Sequence, residues 1–313
     1  MDVLVVNAGS TTLKLYLVRG DASTPVDAFV RADAVGHRIV HGGPRFEEPR
    51  LVDEALEHAI EELSALAPLH NRPALAALRR AREALPDVPH VAVFDTAFHR
   101  TMPPAASTYA IPGRWREEWG VRRYGFHGIS VQWVAQQVRV PRLVVCHLGG
   151  GCSVTAVRDG RSVDTTMGFS PLEGVPMATR SGSVDPGALV YLLREGKLTL
   201  EELDRALEHE SGLAALSGGG SGDIRSASPL ALDVFVHRVA AAVAAMAAAC
   251  GGLDALAFTG GIGEHADEVR ERIVERVRFL GEFRVEVVPA REELVIAAET
   301  RRALSSEPRT RAT

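Results

Sequence analysis

A chain of 313 residues is long enough for two domains with cores of their own. Its composition, 46% hydrophobic and 24% charged, is that of an ordinary globular protein and excludes a fibrous repeat or a largely disordered chain. The formal net charge of −5 provides no global positive field for nucleic acid or anionic lipid, so an anionic ligand must be met by local positive groups.

The first residues, Met1-Asp2-Val3-Leu4, have no basic leader before an apolar stretch, and no secretory signal is expected. Apolar runs at 3–6 and 13–18 flank Asn7-Ala8-Gly9-Ser10-Thr11-Thr12, which reads as a strand, a small-residue turn and a second strand. Helical periodicity follows at 54–65 and 73–85, then a strand at 91–94. At 142–157 the opening grammar returns: RLVVCHL runs through Gly149-Gly150-Gly151 into CSVTAV, and Asp159-Gly160 signals a hairpin. The chain therefore reads as internally duplicated. Helices are expected at 199–209, where Thr199 and Glu202 make a capping box, and at 229–250, which opens on Pro229. The Ala-rich run 239–250 is too short to span a bilayer and reads as a buried helix. A third strand-to-glycine junction at 254–264 opens into a charged helix at 266–278, with a strand at 284–288 and a polar, frayed tail beyond Ser305. Cys146, Cys152 and Cys250 have neither metal-site nor disulfide spacing, which fits buried free thiols in a reducing cytoplasm. The alternation of elements predicts an α/β protein with ligands where the glycine-rich turns leave the strands.

Small-residue turns let backbone N–H groups approach phosphate oxygens, because no Cβ stands in the way. One such turn is more often a tight hairpin; three together point to a polyphosphate. Between them lie Gly36-His37-Arg38-Ile39-Val40-His41-Gly42-Gly43, Phe94-Asp95-Thr96-Ala97-Phe98-His99, Tyr124-Gly125-Phe126-His127-Gly128 and Thr179-Arg180-Ser181-Gly182. From NAGSTTLK at 7–14 to PAREEL at 289–294, these stretches in this order resemble the acetate kinase family of the acetate and sugar kinase, heat-shock chaperone and actin superfamily. The resemblance implies a two-domain, actin-like (ribonuclease H-like) duplicated α/β fold with a trimmed first domain. That domain would occupy 1–97 with a C-terminal helix at 294–313, and the nucleotide-binding domain 98–293. It also implies a cytoplasmic homodimer with no nucleic-acid or membrane partner, phosphorylating acetate with ATP and Mg2+ or Mn2+ to give acetyl phosphate and ADP. The alternatives are a propionate or other short-chain acyl kinase and a catalytically weakened nucleotide-binding regulator.

Site residues are implied in the same way. Arg38 and Arg180 match the arginines at the acceptor and transferring phosphoryl group, where a guanidinium fork suits carboxylate and phosphate oxygens. His127 matches the histidine that bonds the transferring group. Asp95 matches an active-site aspartate that orients an arginine, the acceptor or the metal shell, or else caps the turn after its strand. Asn7 and Glu292, with Glu293 adjacent, match the magnesium positions. Ser10, Thr12 and Lys14 match the first phosphate turn, and His147, Gly149, Gly150 and Gly151 the second. Asp223, Ile224 and Arg225, with Gly261, Ile262, Gly263 and His265, match the adenosine side. Val40, Leu69, His70, Phe126 and Pro171 match the acceptor pocket.

The chain also departs from the family pattern. HLGNG is here His147-Leu148-Gly149-Gly150-Gly151, so Gly150 lacks an amide side chain beside the phosphates. GIGEN ends in His265, HGTSH becomes His127-Gly128-Ile129-Ser130-Val131, and Ile224 replaces an aromatic or Met side chain. The segment 19–35 leaves little room for the full first-domain sheet.

Overall fold

The fold is described from a computed structural model covering residues 1–9, 13–64 and 68–306, the side chains of 68–70 aside. The chain divides into two units: Met1–Arg100, Phe126–Trp133 and Arg291–Thr313 form the first, Thr101–Gly125 and Val134–Ala290 the second.

In the first unit β1 (Val3–Ala8), β2 (Leu13–Arg19), β3 (Ala22–Val26), β4 (Ala34–Ile39), β5 (Arg50–Leu51) and β6 (His90–Phe94) form a sheet in the order β3-β2-β1-β4-β6-β5. Strands β1, β4 and β6 are parallel neighbours, while β2 and β3 return antiparallel beside β1. Side chains of successive strand residues point to opposite faces, so each strand feeds two cores. Leu4, Val6, Val35, Ile39, Ala92 and Phe94 pack with Leu56, Ile60, Leu75 and Leu78 of the helices Glu54–Leu63 and Pro68–Ala84. Val3, Val5, Val91 and Val93 pack with Val295 and Ile296 of the C-terminal helix Glu292–Ser306. Gly36 makes this second layer possible: a Cβ there would run into Thr300 Oγ1 and lie 2.9 Å from Ile296 Cγ2.

In the second unit β7 (Arg142–Leu148), β8 (Cys152–Arg158), β9 (Arg161–Thr165), β10 (Ala255–Thr259) and β11 (Arg284–Val287) form a sheet in the order β11-β10-β7-β8-β9. Here β7, β10 and β11 are parallel, and β8 and β9 return antiparallel beside β7. Reading β7 for β1 and β10 for β4 gives the topology of the first sheet, which is the duplication expected from the repeated strand–glycine–strand grammar. The hairpin between β8 and β9 turns on Asp159 and Gly160, both at positive φ (50° and 75°), as an Asp-Gly turn requires.

The capping box forms as expected: Thr199 Oγ1 accepts from Glu202 N at 3.2 Å, and the Glu202 carboxylate accepts from Thr199 N at 2.8 Å, opening the helix Leu200–His209. Three expectations need correction. The helix expected from 73 begins at Pro68 and carries Pro73 inside it. The segment 19–35, read as leaving little room for the full first-domain sheet, supplies edge strand β3. The Ala-rich run, read as too short to cross a bilayer, belongs to a 22-residue helix, Pro229–Cys250, that is long and apolar enough by length and composition. That helix packs against β7 and β8, burying Phe235, Val236, Val239 and Val243. All three cysteines are free and buried. Burial pushes the Cys152 thiol up to about 12 and the Cys250 thiol to about 11, and raises Cys146 as well. Ser10 and Thr12, the side chains of Leu69 and His70, and the tail 307–313 lie outside the described residues.

Candidate active site

Three adjacent parallel strands of the first unit each end near a residue with chemistry to offer. Asn7 is next to last in β1, Arg38 is next to last in β4, and Asp95 follows β6 directly. Register makes them neighbours, with Val6 opposite His37 and Arg38 opposite Val93. Arg38 Nε and Nη2 donate to Asp95 Oδ2 at 3.0 and 2.6 Å, and Nη1 donates to Asn7 Oδ1 at 3.2 Å. Glu292 Oε2, on the first residue of the C-terminal helix, lies 3.5 Å from Arg38 Nη1 and accepts from Asn7 Nδ2 at 2.9 Å. Burial works against the Arg38 charge, but Asp95 and Glu292 outweigh it and hold its pKa above the ordinary value. Burial likewise pushes the Asp95 carboxyl upward, with Arg38 opposing. Glu293 faces elsewhere, accepting from Ser23 Oγ at 2.9 Å and Arg291 Nε at 2.6 Å. Of the two glutamates, Glu292 is therefore the one grouped with Asn7.

His127 is one of two non-glycine residues at positive φ (58°) among the described residues, and its carbonyl accepts from Val131 N at 2.9 Å to start the helix Gly128–Gln137. A non-glycine residue in this region costs about 1–3 kcal/mol unless its surroundings enforce it, and such strain gathers at functional sites. Gly128 lets this turn pack against the end of β6: a Cβ there would overlap the Asp95 carbonyl oxygen and sit 2.9 Å from Phe98 Cβ. Val40 and Phe126 are both buried, and the Phe126 ring meets His41 edge-on at 5.3 Å. Lys14 is exposed on β2.

In the second unit a cavity of about 500 Å³ is lined by Gly149, Gly150, Asp223, Ile224, Arg225, Gly261, Ile262 and His265, with Ala178, Ser221, Gly222 and Ala266. The glycine turn closes on itself, Gly149 N donating to Gly151 O at 3.0 Å. His147 and Gly263 do not line this cavity. Arg225 pairs with Asp223 and pulls its carboxyl down to about 2. Arg180 Nε lies 3.1 Å from Glu208 Oε2, both side chains largely buried, and Nη1 lies 3.6 Å from Met177 Sδ. Burial raises the Glu208 pKa, with Arg180 opposing. Pro171 is buried in the loop that follows β9.

Magnesium fits the oxygen donors grouped in the first unit, since this hard cation takes one or two protein oxygens and completes its shell with phosphate and water. Asn7 Oδ1 and Glu292 Oε2 are such a pair, joined by Asn7 Nδ2 donating to Glu292 at 2.9 Å. No cluster of three or more His, Cys, Asp or Glu suited to a metal occurs among the described residues.

A model of the acetokinase family matches residues 27–311. The chain belongs to the acetokinase family. It is 48% identical to an acetate kinase of Protochlamydia amoebophila, over 79% of this chain and 66% of that protein, so the match spans just under two thirds of that relative's length. It is 46% identical to an acetate kinase of Deinococcus deserti, over 88% of this chain and 79% of that one. Among solved structures it is similar to a propionate kinase from Francisella tularensis, with a TM-score of 0.89 at 32% identity covering 96% of this chain and 99% of that chain. It is also similar to Porphyromonas gingivalis acetate kinase, with a TM-score of 0.83 at 30% identity covering 97% of this chain and 99% of that one. The two-domain actin-like reading of the fold stands with these neighbours.

Several residues that support the site carry no signal of their own in the sequence. Asn71 is fully buried and clamps His41, accepting from its N–H and donating to its carbonyl, each at 3.0 Å. His99 Nε2 donates to Phe126 O at 2.9 Å, and burial lowers its pKa to about 4. Arg123 donates to Glu173 at 2.7 Å and to the carbonyls of Thr165, Thr166 and Met167, fastening the start of the loop that carries Pro171. A buried polar side chain in a motif-rich stretch is the only signal that would have marked them.

Proposed function

We propose that this chain is a kinase that transfers the γ-phosphoryl group of ATP to acetate, reversibly, giving acetyl phosphate and ADP without a covalent enzyme intermediate. The observation that carries the reading is the Arg38 cluster. A buried guanidinium held by Asp95, Asn7 and Glu292 at the ends of three parallel strands, in a member of this family, is built to receive an anion. In this reading Arg38 orients the acceptor carboxylate, with Asp95 fixing its geometry. Val40 and Phe126, both buried in the first unit, supply an apolar wall for the methyl group. His127 and Arg180 bear on the transferring phosphoryl group, where positioned donors stabilise charge spread over its oxygens. The 500 Å³ cavity of the second unit takes the adenosine, its glycines admitting the nucleotide backbone closely. Asn7 and Glu292 hold magnesium, which when bound neutralises phosphate charge.

Homodimerisation belongs to the same reading. The helix Pro186–Arg194 buries none of its residues, and it leaves Val190, Tyr191 and Leu193 at 48%, 55% and 38% exposure, an apolar face suited to a second copy. Cytoplasmic residence is proposed on the three buried, unpaired thiols.

Hydroxylamine trapping of acyl phosphate, with purified protein, MgATP and a panel of acetate, propionate and butyrate, is the test. Acetate turnover with Arg180→Ala and His127→Ala each reduced about 10²-fold or more is the expected result. ATP binding by calorimetry with no acyl phosphate above background would replace this reading with that of a nucleotide-binding regulator. Similarity to a propionate kinase makes the second carboxylate of the panel informative, because one methylene in an apolar pocket discriminates by only about 1–3 kcal/mol.

A further inference from the structure

The segment that carries Arg180 lies across the end of the helix Leu200–His209. Ser181 N donates to Leu207 O at 3.1 Å, Thr179 Oγ1 donates to Glu208 O at 3.0 Å, and Ser211 N donates back to Thr179 O at 2.9 Å. The backbone on both sides of Arg180 is thus fixed to the helix end, leaving the long side chain itself to be placed. Glu208 faces it, with Oε2 at 3.1 Å from Nε and side-chain exposures of 11% and 14% for the pair. A carboxylate buried to this degree is costly unless it is paired, and truncating one partner of such a pair leaves the other charge stranded. Nε is also the edge of the guanidinium nearest the chain, so a bond there sets the plane of the fork without using its outer end.

We propose that Glu208 is the positioning residue of Arg180, fixing the plane and reach of its guanidinium for the anion it serves. This rests on the role given to Arg180 above, and it makes Glu208 a determinant of turnover that touches no substrate. Holding a reacting group within a fraction of an ångström is worth much of a rate, and a shift of about 1 Å costs on the order of 10²-fold.

Two measurements test it. In protein labelled with 15N-arginine, the Arg180 Nε–H resonance, assigned by its loss in Arg180→Lys, is expected to be protected from solvent exchange in the wild type. Protection should persist in Glu208→Gln, whose amide oxygen still accepts, and vanish in Glu208→Ala. In the acyl phosphate assay, Glu208→Ala is expected to lower kcat about 10-fold to 10²-fold with KM for ATP unchanged, while Glu208→Gln recovers most of the loss. In an Arg180→Ala background the same Glu208→Ala change should cost nothing further. Equal cost in both backgrounds, or an Nε–H as protected in Glu208→Ala as in the wild type, overturns the proposal. If Glu208→Ala does not fold, Glu208→Leu, which fills the space and accepts no hydrogen bond, is read by the same two criteria. A wild type that makes no acyl phosphate refutes the proposed function instead, and the resonance then decides alone whether Glu208 holds Arg180.

Discussion

Arg38 is buried against a carboxylate that is itself only 1% exposed, so neither charge can be removed singly without stranding the other. Asp95→Ala should therefore destabilise the protein by about 3 kcal/mol, measured by urea unfolding, with Glu292 at 3.5 Å keeping the loss at the low end for a buried pair. Asp95→Ala together with Arg38→Met should recover part of that stability and no activity, because the stranded guanidinium is gone and the Glu292 carboxylate that loses it is still held by Asn7 Nδ2 at 2.9 Å. A double variant as unstable as Asp95→Ala alone would show that the pair is not the source of the effect. At this scale the sequence was readable only through motifs. Arg38 and Asp95 stand 57 positions apart, and no periodicity links them; the family pattern supplied both. Glu208 lies outside every motif considered, in an ordinary charged helix, and its partnership with Arg180 exists only in the folded chain.

Among the elements, the C-terminal helix depends on a single missing side chain. Gly36→Ala would push a methyl group into Thr300 and Ile296, and overpacking of this kind costs about 1–3 kcal/mol. The expected result is a lowered Tm for Gly36→Ala and a partial return in Gly36→Ala with Thr300→Ala; no change in Tm for the single variant would mean that the helix shifts freely. Elements with a clean period were legible: β1, β2, β7, β8 and β10 are short apolar runs bounded by small residues. Strand β4 was not, since its sequence AVGHRI mixes glycine, histidine and arginine. These members are accommodated by partners far along the chain, Gly36 by the C-terminal helix, His37 by His90 and Arg38 by Asp95. The first turns of the Pro68–Ala84 helix were hidden by Pro73, which in most sequences marks a helix start.

Taken whole, the molecule buries histidines that have no room for charge. His37 Nε2 and His90 Nδ1 are 2.9 Å apart, and His90 Nε2 lies 3.0 Å from Leu85 O. The carbonyl can only accept, so His90 donates from Nε2; with His90 held neutral by burial its Nδ1 accepts from His37 Nε2, and burial keeps His37 neutral as well. Burial depresses the pKa of His37 and His90, and it lowers His99 to about 4. In the unfolded chain these rings titrate near 6.5, so on acidification the unfolded state binds protons first. Stability should be flat above about pH 7.5 and fall as the pH drops through 6.5 toward 4, by up to about 1.4 kcal/mol per pH unit for each such histidine. Urea midpoints across that range check it, and a protein no less stable at pH 5 than at pH 7.5 would contradict it. Replacing His99 with Gln should flatten the slope by one proton.

The chain's three thiols, all shut inside its second unit with pKa values lifted by burial, have a practical corollary. Maleimide and disulfide reagents attack thiolates they can reach, so the native protein should stay unlabelled until it is denatured. A cysteine placed at the exposed Lys197 would then be the sole conjugation point, giving a spectroscopist a clean handle without first stripping the native sulfur.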